Sequence, residues 1–379
     1  MFQKIILANP DYAVFENYIL GLRCKRILLV HGSSMYQLEI GQYLLSLNGK
    51  NGIELVEFTD FSPNPSIEST INGAKLCKQK KCDMIIACGG GSAIDVAKCI
   101  RLFVEIDTDK TNFIDHLQPG KLKLLAIPTT AGTGSEATHF AVVYKNKQKL
   151  SIGEKDNIPQ AVLLDARSLE KLPLKHKKAA CFDALCHAME SLWSIHATPE
   201  SRTYAREAIR ILMAGGHSYL SGQCDEAVNM SMLLAAHYAG KAINISKTTA
   251  AHAMSYQLTE LFSIPHGQSA ALCLNALLPH MVVNSRQSKE TGLSELMSEI
   301  NEMLGGLQET NLAGTFYKLL ERHNMFVDLS VDNYEETLSQ LVGSVNEERL
   351  KNHPLKLTKK DFASFYGQIL SGQRRKHGN

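Results

Sequence analysis

The chain has 379 residues, is 44% hydrophobic and 21% charged, and carries a formal net charge of +2. That length exceeds one ordinary core, so two domains are expected. The near-neutral balance, with no arginine-rich or aromatic-interleaved basic stripe, gives no case for nucleic acid, and no apolar run is long enough to span a bilayer.

The opening MFQKIILANPDY lacks the apolar core and cleavage site of a signal peptide. Arg26 to Val30 reads as a buried strand that ends at His31-Gly32-Ser33-Ser34, and Met35 to Leu47 carries helical periodicity. Ile53 to Phe58 is the next strand, and Ser66 to Lys80 the next helix, entered through Asn64-Pro65. Asp83 to Cys88 is a third strand running into GGGSAIDVAKCIRLF, and Leu124 to Ile127 a fourth running into PTTAGTGSEAT. Ala141 to Lys149 and Ala161 to Asp165 complete this part. Strands alternating with helices predict an α/β domain with a doubly wound parallel sheet of Rossmann type.

The boundary falls near Leu172-Pro173-Leu174, dividing the chain into 1–172 and 173–379. Beyond it strand signals vanish, and Ala-, Leu- and Met-rich helical spacing covers 177–194, 199–219, 225–243, 248–262, 268–284 and 310–324. The second domain is therefore expected to be all-α. Lys171 to Lys178 and Arg374 to Lys376 read as solvated surface, and the final GQRRKHGN as a frayed end. Nine dispersed cysteines without a C-x-x-C pair read as reduced thiols of a cytoplasmic enzyme.

Three segments carry chemistry. Gly89-Gly90-Gly91-Ser92 closes a strand and opens a helix, where glycines admit a diphosphate and the first free N–H groups point at it. Ser92 and Asp95 fit an S-x-x-D helix start. Thr129-Thr130-Ala131-Gly132-Thr133-Gly134-Ser135 offers N–H and O–H donors to a nucleotide. Each loop alone is equally a plain tight turn; their place at the carboxyl ends of parallel strands strengthens both. In the second half, Asp183 and His187 stand four apart on one helical face, and His252 and His266 flank a further helix. Such a pair is by itself more often structural. One carboxylate and three imidazoles together make a ligand set suited to Fe(II) or Zn(II), with room for a substrate oxygen.

With GGGSAIDVAK, IPTTAGTGSEAT, DALCHAMES and His252…His266-Gly267 in order, the chain resembles the iron-type (group III) alcohol dehydrogenase family over nearly its whole length. The resemblance implies a dehydroquinate synthase-like fold: a nucleotide-binding α/β domain, a helical domain, and an active site in the cleft between. It implies metal ligands Asp183, His187, His252 and His266, and pyrophosphate contacts from Gly89, Gly90, Gly91 and Ser92, with Asp95 and Thr129 in the same binding region. Thr130, Thr133 and Ser135 would lie along the ribose and nicotinamide.

Two positions depart from the family pattern. Many members end the first strand of the sheet with an acidic residue, where this chain has Gly32 flanked by Ser33 and Ser34. Such a site accepts a 2′-phosphate, so NADPH is expected as well as NADH. A second histidine that often follows the third ligand is here Tyr256, which either substitutes in a proton relay or shapes the pocket.

The segment from Ala239 to Tyr256, with Trp193, resembles the branch that reduces phosphonoacetaldehyde to 2-hydroxyethylphosphonate in phosphonate biosynthesis. Lys241 or Lys247, the latter preferred, would anchor the acid group. The expected protein is an NAD(P)H-linked, metal-dependent aldehyde reductase, forming a homodimer and acting on a small aldehyde or alcohol. With one aspartate and a divalent ion, its site would keep a net charge of about +1. The alternatives are a generic short-chain alcohol dehydrogenase of the same family and a dehydroquinate-synthase-like lyase. A ligand set of Asp183 with three histidines argues against the lyase.

Overall fold

The computed structural model describes residues 3–110, 112–146, 148–285, 292–307, 309–329, 331–345 and 347–372, which form two compact units. The first unit comprises Met1–Pro173 with Cys224–Gly240, and the second Leu174–Gln223 with Lys241–Asn379.

In the first unit six strands, β1 (Lys4–Leu7), β2 (Arg26–His31), β3 (Glu54–Phe58), β4 (Met84–Gly89), β5 (Lys123–Pro128) and β8 (Ala161–Leu164), form one sheet in the order β1-β8-β5-β4-β2-β3. Every pairing is parallel. The central strands are apolar at successive positions because helices cover both faces of such a sheet. Leu28, Val30, Ile85, Ala87, Leu124 and Ala126 join one core, and Ile27, Leu29, Ile86, Cys88, Leu125 and Ile127 the other. Helices α3 (Ile67–Gln79) and α4 (Gly91–Phe103) pack into the first core, and α1 (Ala13–Gly21) and α2 (Glu39–Ser46) into the second. From β2 the chain moves outward to β3 and then returns to β4 on the other side. The strand order therefore reverses between β2 and β4, the place where open α/β sheets bind ligands.

Three features add to or revise the sequence reading. The stretch 141–149 does not extend the main sheet: β6 (Phe140–Lys145) and β7 (Gln148–Gly153) form a separate antiparallel pair. Lys4–Leu7, not foreseen, is an edge strand whose Ile5 and Leu7 remain exposed, so it lacks the alternation that marks a buried strand. The helix expected over 35–47 is interrupted at Leu38, whose extended backbone separates a short 3₁₀ turn from α2.

The second unit is helical: α5 (Leu174–Trp193), α6 (Pro199–Leu220), the end of α7 (Glu226–Ser246), α8 (Ala250–Phe262), α9 (His266–Ser285), α10 (Leu293–Met303), α11 (Leu312–Arg322), α12 (Tyr334–Gly343), α13 (Glu347–Leu350) and α14 (Lys359–Leu370). Helix α6 begins with a capping box from Thr198 to Ser201 and Pro199 in its first turn. Helices α10, α12, α13 and α14 went unread in the sequence. Lys177, expected at the surface, is buried with its ammonium 5.1 Å from the Tyr219 ring centre. The frayed end and Arg374 to Lys376 fall outside the described residues, apart from Gly372. All nine cysteines lie among the described residues, and none is in a disulfide. Among the described residues no helix is long and apolar enough to cross a membrane.

Candidate cofactor loops and metal centre

In the first unit the glycine turn after β4 and the Thr/Gly loop after β5 lean on each other. The Thr129 N–H donates to the Gly89 carbonyl at 3.0 Å. A Cβ on Gly91 would meet Thr133 side-chain atoms from 2.9 Å, and one on Gly90 would meet Thr130 at 3.3 Å. Without a Cβ at Gly91 the two turns close up with no shift of Thr133, and α4 begins there, its first N–H groups without partners inside the helix. This geometry fits a diphosphate.

Asp95 and Ser135 belong to the lock beneath these loops. The half-buried Asp95 carboxylate accepts from the Ser135 hydroxyl and, at 3.0 Å, from the Val142 N–H. Buried Lys98 donates to Ser135 Oγ at 3.2 Å, Thr138 Oγ1 at 3.0 Å and the Phe140 carbonyl at 2.9 Å. Burial lowers the Lys98 ammonium to about 8 against the pull of Asp95 and Glu136, and burial raises the Asp95 carboxyl. The Ser92/Asp95 helix start is therefore not formed. Gly90 is the N-cap, no side chain caps it, and Asp95 is committed elsewhere.

The loop is also fixed from α7. Gly134 (φ 61°) and Gly240 approach so closely that a Cβ on Gly134 would lie 2.5 Å from Gly240 Cα. His237 Nδ1 lies 3.3 Å from Glu136 Oε1, both side chains buried. These contacts explain why Cys224–Gly240 groups with the first unit.

At the end of β2, Gly32 is extended (φ −91°) with open space where a Cβ would stand, and Ser33 and Ser34 are exposed. A carboxylate is nonetheless close by. Glu57 of β3 lies 3.0 Å from His31 Nε2 and accepts from the Tyr36 hydroxyl at 2.9 Å. The sequence concealed Glu57 because it comes from the neighbouring strand, through the Leu29↔Glu57 register.

In the second unit, Asp183, His187 and His252 present ligand atoms all within 4.8 Å of one another, and all three are buried. Asp183 and His187 project from successive turns of α5, and His252 from the first turn of α8. His252 Nε2 lies 3.4 Å from Asp183 Oδ1, and the His187 and His252 rings stack at 4.4 Å. His266, at the start of α9, reaches Asp183 Oδ1 from 4.0 Å. Gly267 permits this approach: a Cβ there would collide with the Ala179 carbonyl and lie 2.6 Å from Asp183 Cβ.

Glu190, unnoticed in the sequence although it stands at i+7 from Asp183, completes the centre. It is fully buried and bonds His252 Nδ1. Its Oε1 accepts from the Thr249 N–H at 2.9 Å and the Thr249 hydroxyl at 2.6 Å. Burial alone would raise the Glu190 carboxyl, but His252 and Thr249 outweigh it and bring it to about 2. Asp183 likewise lies far below the usual carboxylate range, because its three histidines outweigh burial. Two ionised carboxylates among stacked imidazoles, in a buried site, suit a divalent cation. The donor set fits Fe(II) or Zn(II). Counting Glu190, the net charge with such an ion falls from about +1 to about zero.

Of the other sequence candidates in this unit, Tyr256 adjoins the centre through His266. The Tyr256 ring is parallel to that of His266, with centroids 5.3 Å apart. Lys241 places its ammonium 4.1 Å from the Tyr204 ring centre. Lys247 is exposed and follows the last residue of α7 with a left-handed backbone (φ 60°), which breaks the chain between α7 and α8.

Family models match almost the whole chain: one described as iron-containing alcohol dehydrogenase over residues 3–166, and one as the C-terminal region of the Fe-containing alcohol dehydrogenase family over 178–370. An NADPH-dependent butanol dehydrogenase of Clostridium saccharobutylicum is 33% identical, covering 70% of this chain and 69% of its own. A phosphonoacetaldehyde reductase of Streptomyces viridochromogenes is 31% identical, covering 54% and 55%. The crystal structure of a sulfoacetaldehyde reductase from Bifidobacterium kashiwanohense in complex with NAD+ shares the fold, with a TM-score of 0.83, 24% identity and 97% of both chains covered.

Proposed function

This chain belongs to the iron-containing alcohol dehydrogenase family, and we propose that it works chiefly as a reductase of short aldehydes carrying an acid group, phosphonoacetaldehyde foremost. The redox reading rests on the buried cluster of Asp183, His187 and His252, with an imidazole fixed by Glu190. The substrate reading is supported by the 31% identity to a phosphonoacetaldehyde reductase. The similar butanol dehydrogenase supports use of NADPH, as does the absence of a side chain at Gly32.

Asp183, His187, His252 and His266 would hold the metal, and the loops at Gly89–Gly91 and Thr129–Thr133 the dinucleotide. When bound, a divalent metal supplies Lewis acidity toward a carbonyl oxygen, and a reduced nicotinamide supplies the hydride. Glu190 keeps the His252 Nδ1 position occupied, which directs Nε2 toward Asp183. Burial, with Glu190 and Asp183, raises the Tyr256 phenol against the opposing charge of Arg349. Tyr256 thus keeps its proton near neutral pH and is the side chain assigned to give one to the nascent alcohol.

The test is an aldehyde panel with NADH and NADPH on metal-reconstituted protein. Turnover of phosphonoacetaldehyde well above that of propanal and butanal is expected. Equal rates for all three would reduce the assignment to a generic short-chain aldehyde reductase, and failure to consume NAD(P)H with any aldehyde would refute the reductase reading.

A further inference from the structure

Four residues of helix, Glu347–Leu350, place an arginine beside the candidate ligands of the second unit. Asn352 secures this turn: its N–H donates to the Arg349 carbonyl at 3.2 Å, and its side-chain amide to the Thr248 carbonyl at 3.1 Å. The Asn352 carbonyl in turn accepts from the Ile195 N–H at 3.0 Å. Arg349 Nη1 bonds the Tyr256 hydroxyl and lies 3.4 Å from Thr248 Oγ1, and the guanidinium carbon stands 4.8 Å from the Tyr256 ring centre. Guanidinium, phenol and the His266 imidazole thus follow one another in a row that ends at Asp183.

We infer that Arg349 is the specificity residue that binds the acid group of the substrate. The inference rests on the reading of the protein as a reductase of anionic aldehydes and names the residue that reading lacked. A guanidinium presents a planar fork matched to the oxygens of a phosphonate, sulfonate or carboxylate, which an ammonium does not. The hydroxyls of Tyr256 and Thr248 are among the partners that orient this guanidinium. The two lysines are placed less well: Lys241 is turned onto Tyr204, and Lys247 is exposed. With the acid group on Arg349, the carbonyl of a two-carbon aldehyde extends along the Tyr256 and His266 rings toward the metal ligands. Remote binding energy then aims the carbonyl as well as holding the substrate.

The test uses methylphosphonate, which has the acid group and no carbonyl, titrated calorimetrically into metal-loaded protein. Wild type should bind it and Arg349→Gln about ten- to hundredfold more weakly. Arg349→Lys, which keeps the charge and loses the fork, should fall between, and Lys247→Ala should bind like wild type. The ratio of kcat/KM for phosphonoacetaldehyde to that for propanal should fall in the same order. Wild-type protein that does not bind methylphosphonate, Arg349→Gln that binds it undiminished, or a loss in Lys247→Ala instead would each overturn the assignment. Methylphosphonate binding that depends on Arg349, without preferential turnover of phosphonoacetaldehyde, would keep the anion site and sink the substrate reading. Preferential turnover that survives Arg349→Gln would do the reverse.

Discussion

Glu190 bonds Nδ1 of His252 with one carboxylate oxygen and takes the N–H and hydroxyl of Thr249 with the other. One buried side chain of α5 thus anchors the start of α8 and fixes which nitrogen of its imidazole faces Asp183. Partners of this kind orient the ligand and raise its basicity.

Replacing Glu190 by Gln should leave the ligand set intact and weaken it. Metal affinity is expected to fall about ten- to hundredfold, read by competition with a coloured chelator. Unchanged affinity would mean that Glu190 serves only to anchor α8.

His266→Ala removes the most exposed of the four proposed ligands, 34% exposed against 8% or less for the others. Bound metal and turnover should both be lost, while cofactor binding, measured by fluorescence of the reduced nicotinamide, persists. Full metal stoichiometry in this variant would remove His266 from the ligand set.

Cofactor choice should respond at Gly32 and at Glu57 in opposite directions. Gly32→Asp is sterically free and would bring a second carboxylate to the end of β2, shifting preference toward NADH by about ten- to hundredfold. Glu57→Gln removes the carboxylate already beside His31 and should shift it toward NADPH. The ratio of kcat/KM values for the two cofactors checks both. A ratio that moves in neither variant places the adenosine ribose elsewhere.

His353, which is not among the proposed metal ligands, gives the protein an acid sensitivity. The ring is buried, neither nitrogen meets a hydrogen-bond partner among the described residues, and burial, aided by His280 and opposed by Glu190, lowers it to about 4. Between the ordinary histidine value and that one, the unfolded chain takes up a proton that the folded state refuses. This contribution is therefore absent above about pH 7 and costs roughly 2 kcal/mol by pH 5. His353→Phe should flatten the fall in urea midpoint between pH 7 and 5; an equally steep fall would assign the acid sensitivity to other groups.

The α/β half was legible because each element carries its own signal. Buried parallel strands such as Met84–Gly89 read as continuous apolar runs. The glycine turn after β4 declares itself because only glycine admits the close approach of Thr133. Edge strand β1 was missed because its exposed residues share no periodicity with a core. Helix α11 was read as 310–324, whereas α10, α12, α13 and α14 were missed where their short amphipathic runs fall between polar stretches.

Local order in the chain determined the two glycine-rich turns, the helical spacing of Asp183 and His187, and the positions of His252 and His266. It could not determine which groups meet across a fold, because those contacts join residues far apart in sequence. Glu190 lies 62 residues from His252, and Arg349 lies 93 from Tyr256. Asp95 reads as a helix start until the fold brings Ser135 and Val142 to its carboxylate. Glu57 enters the account of Gly32 only through the register of β3 beside β2. Burial then decides the chemistry: in a low-dielectric interior a carboxylate must find a donor or a cation, and the tertiary structure alone selects which one it meets.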